Sequence, residues 1–126
     1  MDEVAILAPV ERPRIDPGRI EKLCEEIGPY AIEDMVCRAM EELAHLLCRI
    51  HDQTEPDRRA DLCKSLRAIR SLSDQVGLNG ISRIAEDVLI CIDHGDPVAE
   101  AAVMARLARN GERSLAALWD LQGMSI

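Results

Sequence analysis

His45 is the residue of this sequence whose side chain and position best suit a group-transfer reaction. A neutral imidazole can act as a nucleophile and take up a phosphoryl group. At about 100° per residue, His45 lies roughly 160° from the apolar stripe of its predicted helix, so we expect the ring to be exposed. Glu41 lies one turn earlier and could orient the imidazole. Two interpretations of His45 stay open, a phosphorylated histidine and an ordinary surface histidine.

Three short motifs have spacings that metal sites use. Residues 42–45 have the Glu-x-x-His spacing of di-iron bundles, but those sites need two such motifs and two further inward-facing glutamates. Two Cys-x-x-His pairs have the ligand types of a tetrahedral zinc site, namely Cys48 with His51 and Cys91 with His94. Helical geometry directs Cys48 outward and Cys91 inward, so we do not expect the four groups to converge. We therefore expect neither a metal site nor another cofactor.

The composition limits the class of protein. The chain has 126 residues, enough for one domain with its own core, and 48% of them are hydrophobic. The only aromatic residues are Tyr30 and Trp119, so the core must be aliphatic, which suits helices packed on helices. The net charge of −8 argues against nucleic-acid binding, which needs a basic surface.

Three further features predict where the protein resides. No apolar run approaches the roughly 20 residues of a membrane span. The acidic start of the chain, residues 1–3, is unlike a secretory signal. Five cysteines at irregular spacing are typical of reduced thiols. We therefore expect a cytoplasmic protein that does not contact a membrane.

Apolar residues that recur every three or four positions predict helices along most of the chain. Residues 1–15 are predicted to form an extended arm, and residues 16–126 a single helical domain. An Asp-Pro pair is a typical helix start, and a glycine is a typical helix end. The pair Asn110-Gly111 could interrupt the last helix. The pattern predicts an all-α fold, an antiparallel up-down four-helix bundle with a short extra helix at its N-terminus. The predicted helices span residues 16–27, 31–51, 57–76, 81–93 and 98–121.

Residues 66–77 resemble the central helix of histidine-phosphotransfer (HPt) domains, and the similarity in spacing extends over residues 15–121. That family carries His-x-Leu-Lys-Gly and a second Gly ten residues after the His. Aligned on Gly77, this chain fills the Leu, Lys and first Gly positions with Ile69, Arg70 and Ser71. Arg67 stands where the family has its phosphorylated histidine. A guanidinium stays protonated and is a poor nucleophile, so the resemblance implies the shape of a phosphorelay protein without its phosphoacceptor.

The outer face of the third predicted helix is the partner-binding surface that the resemblance implies. Helical geometry places Arg67 roughly 160° from the apolar stripe of that helix. The family's partners include receiver domains, whose phosphoacceptor aspartate lies in an acidic, magnesium-binding pocket. A basic helix face complements such a pocket. Ser71 replaces a glycine that lets the partner approach closely. The expected partner-binding residues are Lys64, Arg67, Arg70, Ser71 and Asp74.

The resemblance therefore implies an HPt-like signalling protein of bacterial two-component systems. It would bind a receiver or kinase domain without accepting phosphate. One alternative is an active phosphotransferase that uses His45, although Leu46 follows it where kinase phosphoacceptor motifs have an acidic residue. The other alternative is a helical interaction module outside phosphorelay, which could form a homodimer. Its contact surface would include Ile90 and Leu107, both of which we expect to be exposed.

Overall fold

The computed structural model describes residues 16–121. The predicted arm, residues 1–15, and the C-terminal residues 122–126 lie outside this range. The described chain is helical and contains no strand, which confirms the all-α class. None of the helices within residues 16–121 is both long enough and apolar enough to cross a membrane. The described range contains five α-helices: α1 Pro17–Ile27, α2 Pro29–Arg49, α3 Arg59–Gln75, α4 Asn79–His94 and α5 Pro97–Leu121. Two short 3₁₀ turns, Ile50–Gln53 and Pro56–Arg58, lie between α2 and α3.

Aspartate caps begin α1 and α5. The Asp16 carboxylate accepts a hydrogen bond from the Gly18 amide at 3.1 Å, and the Asp96 carboxylate accepts one from the Ala99 amide at 3.1 Å. Each bond satisfies an amide that the first helical turn leaves without a partner. Both helix starts therefore follow the Asp-Pro signal that the sequence predicts.

Glycines end α3 and α4. Gly77 and Gly95 have φ angles of 78° and 68°, which favour a residue without Cβ. After Gly77, the Leu78 amide donates to the Ser73 carbonyl at 2.8 Å. This hydrogen bond satisfies a carbonyl in the last turn of α3. The Gly77 carbonyl also accepts a hydrogen bond from the Asp16 amide at 2.7 Å. This bond holds the start of α1 against the end of α3.

An aliphatic core lies among α2, α3, α4 and α5. Each of these helices packs on the next, α5 packs back on α2, and α1 packs on α2. The side chains that return to the same side every third or fourth residue face this core. Tyr30 is 87% exposed, and Trp119 is only partly buried, so the interior is aliphatic as the composition predicts. The largest fully buried side chains are Met40, Leu43, Leu62, Leu66, Ile69, Leu78, Ile81, Leu107, Leu118, Val36, Val76 and Val88.

An ion pair joins the first turns of α3 and α5. Arg59 Nη1 lies 2.7 Å from Glu100 Oε2, and Arg59 Nη2 lies 2.5 Å from Glu100 Oε1. The N-terminal ends of α3 and α5 are therefore at the same end of the molecule. The hydrogen bond from Arg59 lowers the pKa of Glu100, although burial of the carboxyl opposes this shift.

The structure corrects two expectations about α5. Leu107 is fully buried in the core, so it cannot contribute to a contact surface, whereas Ile90 is 44% exposed as expected. The helix also continues without interruption through Asn110 and Gly111. The Asn110 side chain donates to the carbonyl one turn earlier at 3.1 Å. A Cβ on Gly111 would lie 2.8 Å from Leu47 Cδ1, so this glycine allows α5 to approach α2 closely.

Candidate functional site

The outer face of α3 carries an exposed line of polar side chains. Lys64, Arg67, Ser71 and Asp74 are all exposed. Their spacing of three and four residues places them along one side of the helix, over about 15 Å. Leu66, the neighbour of Arg67 in sequence, is fully buried. Arg67 therefore faces solvent, as helical geometry predicts.

Arg70 differs from this line because a neighbouring helix neutralises its charge. Its guanidinium forms an ion pair with Glu86 of α4, and the two side chains are 38% and 45% exposed. Sequence analysis missed Glu86, because only the packing of α3 on α4 brings the two residues together. Lys64 and Arg67 form no ion pair with any residue in the range 16–121. The free positive charge of the outer face of α3 therefore comes from Lys64 and Arg67.

His45 lies on the exposed side of α2. The residue is exposed, and so is Glu41 one turn earlier. Helical geometry predicts both positions correctly. Exposure alone does not distinguish a phosphorylated histidine from a surface histidine. His94 is the last residue of α4, where its ring is exposed near the negative end of the helix dipole.

The Cys-His pairs also lie where the helical pattern predicts. Cys48 is exposed and lines a groove between α2 and α5 together with His51. Cys91 is half-buried in α4. Within residues 16–121, no three side chains among histidine, cysteine, aspartate and glutamate lie close enough to hold a metal ion. The Glu-x-x-His motif of residues 42–45 lies on the exposed side of α2, with both its glutamate and its histidine in solvent.

Carboxylates surround the one cysteine whose pKa is shifted. Burial and the neighbouring charges of Glu33, Glu41 and Asp34 raise the pKa of the Cys37 thiol. A raised pKa keeps the thiol protonated near neutral pH, and a protonated thiol is a poor nucleophile. This side of α2 is therefore acidic and has no activated cysteine.

A cavity between α2 and α3 adjoins the line on α3. Its volume is about 330 Å³, and Lys64 belongs both to the line and to the cavity wall. Arg49 of α2 and Asp61 of α3 are the other charged residues that line it. Sequence analysis did not single out Arg49, because residues 49 and 64 meet only through the packing of the two helices.

No protein-family model, curated protein or solved structure matches the chain. The HPt resemblance therefore depends on the spacing of residues 66–77 and on the helical pattern. The α3 surface is the feature of the molecule that bears on its function.

Proposed function

We propose that the protein is an HPt-like signalling protein of bacterial two-component systems. It binds a receiver or kinase domain and does not accept phosphate. The fold that this requires is an antiparallel four-helix bundle of α2 to α5, with α1 as the short extra helix. The return of α5 to pack on α2 supports this arrangement, since it closes the ring of helix contacts. The brief connections between successive helices favour alternating directions.

The exposed position of Arg67 on the outer face of α3 is the observation that carries the proposal. In the register set by Gly77, this is the position of the family's phosphorylated histidine, which must face solvent to meet its partner. A guanidinium keeps its proton and cannot take up a phosphoryl group as an imidazole does. Arg67 instead holds a fixed positive charge where the family presents a phosphoimidazole.

The charge along α3 also favours one orientation of the partner. Lys64 lies one turn from Arg67, so two positive charges that have no ion pair within residues 16–121 are adjacent. Asp74 places a negative charge at the other end of the line, and this charge repels an acidic surface. An acidic receiver pocket is therefore expected to lie over Lys64 and Arg67. Electrostatic complementarity of this kind mainly raises the association rate and fixes the orientation of the complex.

The proposed location is the cytoplasm. All five cysteines are within the described range and are present as thiols. Thiols are the usual state of cysteine in a reducing compartment. Fractionation of the source cell, followed by detection of the protein in the soluble cytoplasmic fraction, tests this part of the proposal.

Binding to receiver and kinase domains of the source cell tests the function directly. We expect Arg67→Glu to weaken binding at low salt by about tenfold or more, since the substitution reverses a charge at the contact. Arg109→Glu is the matched control, because Arg109 is also exposed but lies on α5. The control is expected to change the affinity by less than about twofold. Wild-type protein that binds none of these domains contradicts the proposal, and so do equal losses in the two variants.

Phosphate transfer separates the proposal from its catalytic alternative. The wild-type protein is incubated with a phosphorylated receiver and examined for an acid-labile label. We expect no label on the wild type, and a label on Arg67→His, which restores an imidazole at the family's position. A label on the wild type that His45→Gln removes would contradict the proposal and assign the reaction to His45.

A further inference from the structure

The cavity between α2 and α3 has an apolar part and a buried polar floor. Leu46 and Ala68 supply apolar surface on the two helices. Ser65 and Gln53 are only 7% and 4% exposed. The side-chain oxygen of Gln53 has no hydrogen-bond partner among the described residues. That oxygen is closed to solvent, so the contacts to a ligand must come from the rim of the cavity.

The rim of the cavity is positively charged. Arg49 and Lys64 stand on opposite walls, and both are exposed and without an ion pair in the described range. Asp61 is the single carboxylate among the lining residues, so the rim carries one net positive charge. This contrasts with the chain as a whole, which has a net charge of −8. An anionic group is therefore attracted to this rim, although the molecule as a whole repels it.

The ion pair of Arg70 with Glu86 determines which side of α3 offers this charge. Because Glu86 belongs to α4, it neutralises the edge of the α3 line that faces α4. The opposite edge, toward α2, adds Arg49 to the charges of Lys64 and Arg67. The positive surface therefore extends from α3 across the cavity to α2.

We infer that the cavity binds a carboxylate side chain from an acidic segment of a protein partner, and that Arg49 is a contact residue. The inference rests on the proposed function, because it extends the same docking surface. The carboxylate lies between Arg49 and Lys64. A polypeptide fits the lining better than a simple anion does, because Leu46 and Ala68 give the cavity apolar surface that the methylene groups of an acidic side chain can contact.

A hexaglutamate peptide is the probe, and amide chemical shifts at Ser65 and Ala68 report occupancy of the cavity at low salt. We expect Arg49→Gln and Lys64→Gln each to weaken peptide binding about three- to fivefold. Arg38→Gln removes the same charge from the same helix, but Arg38 pairs with Asp34 at 3.1 Å and lies outside the cavity. It is therefore the matched control and is expected to leave the affinity nearly unchanged.

Removal of a negative charge gives the opposite test. Asp61→Asn is expected to strengthen peptide binding about threefold, and Glu25→Gln, an equal change of charge on the exposed side of α1, is expected to have little effect. Circular dichroism of each variant verifies that it folds. The inference is wrong if the peptide leaves Ser65 and Ala68 unshifted, if Arg49→Gln behaves like Arg38→Gln, or if inorganic phosphate binds as tightly as the peptide.

The same variants distinguish this inference from the proposed function. In one outcome, receiver domains bind the protein and Arg67→Glu weakens that binding, while the Arg49 and Lys64 variants leave peptide binding unchanged. Only the cavity assignment then fails. If no receiver or kinase domain binds while the peptide occupies the cavity with the expected charge dependence, the proposed function fails and the acidic-peptide site stands.

Discussion

Substitution of Gly77 by alanine should separate α1 from the end of α3. Gly77 has a φ of 78°, and a Cβ there would lie 2.6 Å from the backbone oxygen of Asp16. A left-handed conformation costs a residue other than glycine about 1–2 kcal/mol. The backbone oxygen cannot rotate away as a side chain can, so the hydrogen bond from the Asp16 amide to the Gly77 carbonyl, worth about 1 kcal/mol, is lost or lengthened. We expect a total loss of about 2–4 kcal/mol in the free energy of unfolding.

Gly95→Ala is the matched control for this prediction. Gly95 also ends a helix, with a φ of 68°, but a Cβ there would meet no atom within 4 Å. Its cost is therefore limited to the left-handed conformation, about 1–2 kcal/mol. The difference between the two variants measures the contact of α1 with Gly77, which we expect to be about 1–2 kcal/mol.

Urea unfolding followed by circular dichroism measures both losses. Hydrogen exchange of the Asp16 amide gives a local readout, because that amide donates to the Gly77 carbonyl. We expect its exchange to accelerate in Gly77→Ala and to stay unchanged in Gly95→Ala. Equal losses of stability in the two variants, with the Asp16 amide still protected in Gly77→Ala, would refute the reasoning.

Three further predictions concern the core and the ion pair. The pKa of Glu100 is lowered by Arg59, so the pair stabilises the fold above the ordinary glutamate pKa and loses this contribution as the pH falls through the lower folded value. Glu100→Gln should therefore cost about 1 kcal/mol at about pH 7, with a loss that shrinks in urea titrations as the pH falls below the ordinary glutamate pKa; a loss independent of pH contradicts this. Leu107→Ala should cost about 2–5 kcal/mol and Ile90→Ala less than about 1 kcal/mol, and similar values would contradict the buried position of Leu107. Ser73 has a fully buried hydroxyl without a hydrogen-bond partner among the described residues, so Ser73→Ala should stabilise the protein by about 1 kcal/mol; a lower melting temperature would show that the hydroxyl is bonded.

Local signals in the sequence predict much of the helical layout. The capping aspartates and the terminal glycines Gly77 and Gly95 act within a few residues, so their effect can be read without knowledge of the fold. The exposure of Arg67 and His45 follows from helical periodicity in the same way. The prediction that Leu107 is exposed was wrong. Leu107 lies in a long helix with many alanines, so the boundary between its apolar and polar faces is hard to locate from the sequence.

The candidate site was less predictable because its charges are set by pairs of helices. The sequence alone places Arg70 among the positive charges of the outer face of α3, and Glu86 neutralises it only when α4 packs beside it. Arg49 joins Lys64 at one cavity only when α2 packs on α3. Gly111 likewise suggests a kink in isolation, whereas the approach of Leu47 gives it a packing role.

By itself, the sequence determined the helical class, the capped starts of α1 and α5, the glycine stops of α3 and α4 and the outward direction of Arg67. Capping, glycine conformation and the 3.6-residue period all act within one or two turns. The starts of α2 and α4, at Pro29 and Asn79, lie two residues before the predicted ones. The tertiary structure alone decided which charges remain free, where the cavity lies and which apolar side chains are covered. These properties depend on contacts between residues 15 to 64 positions apart, and no local pattern records which side chains will meet when helices pack.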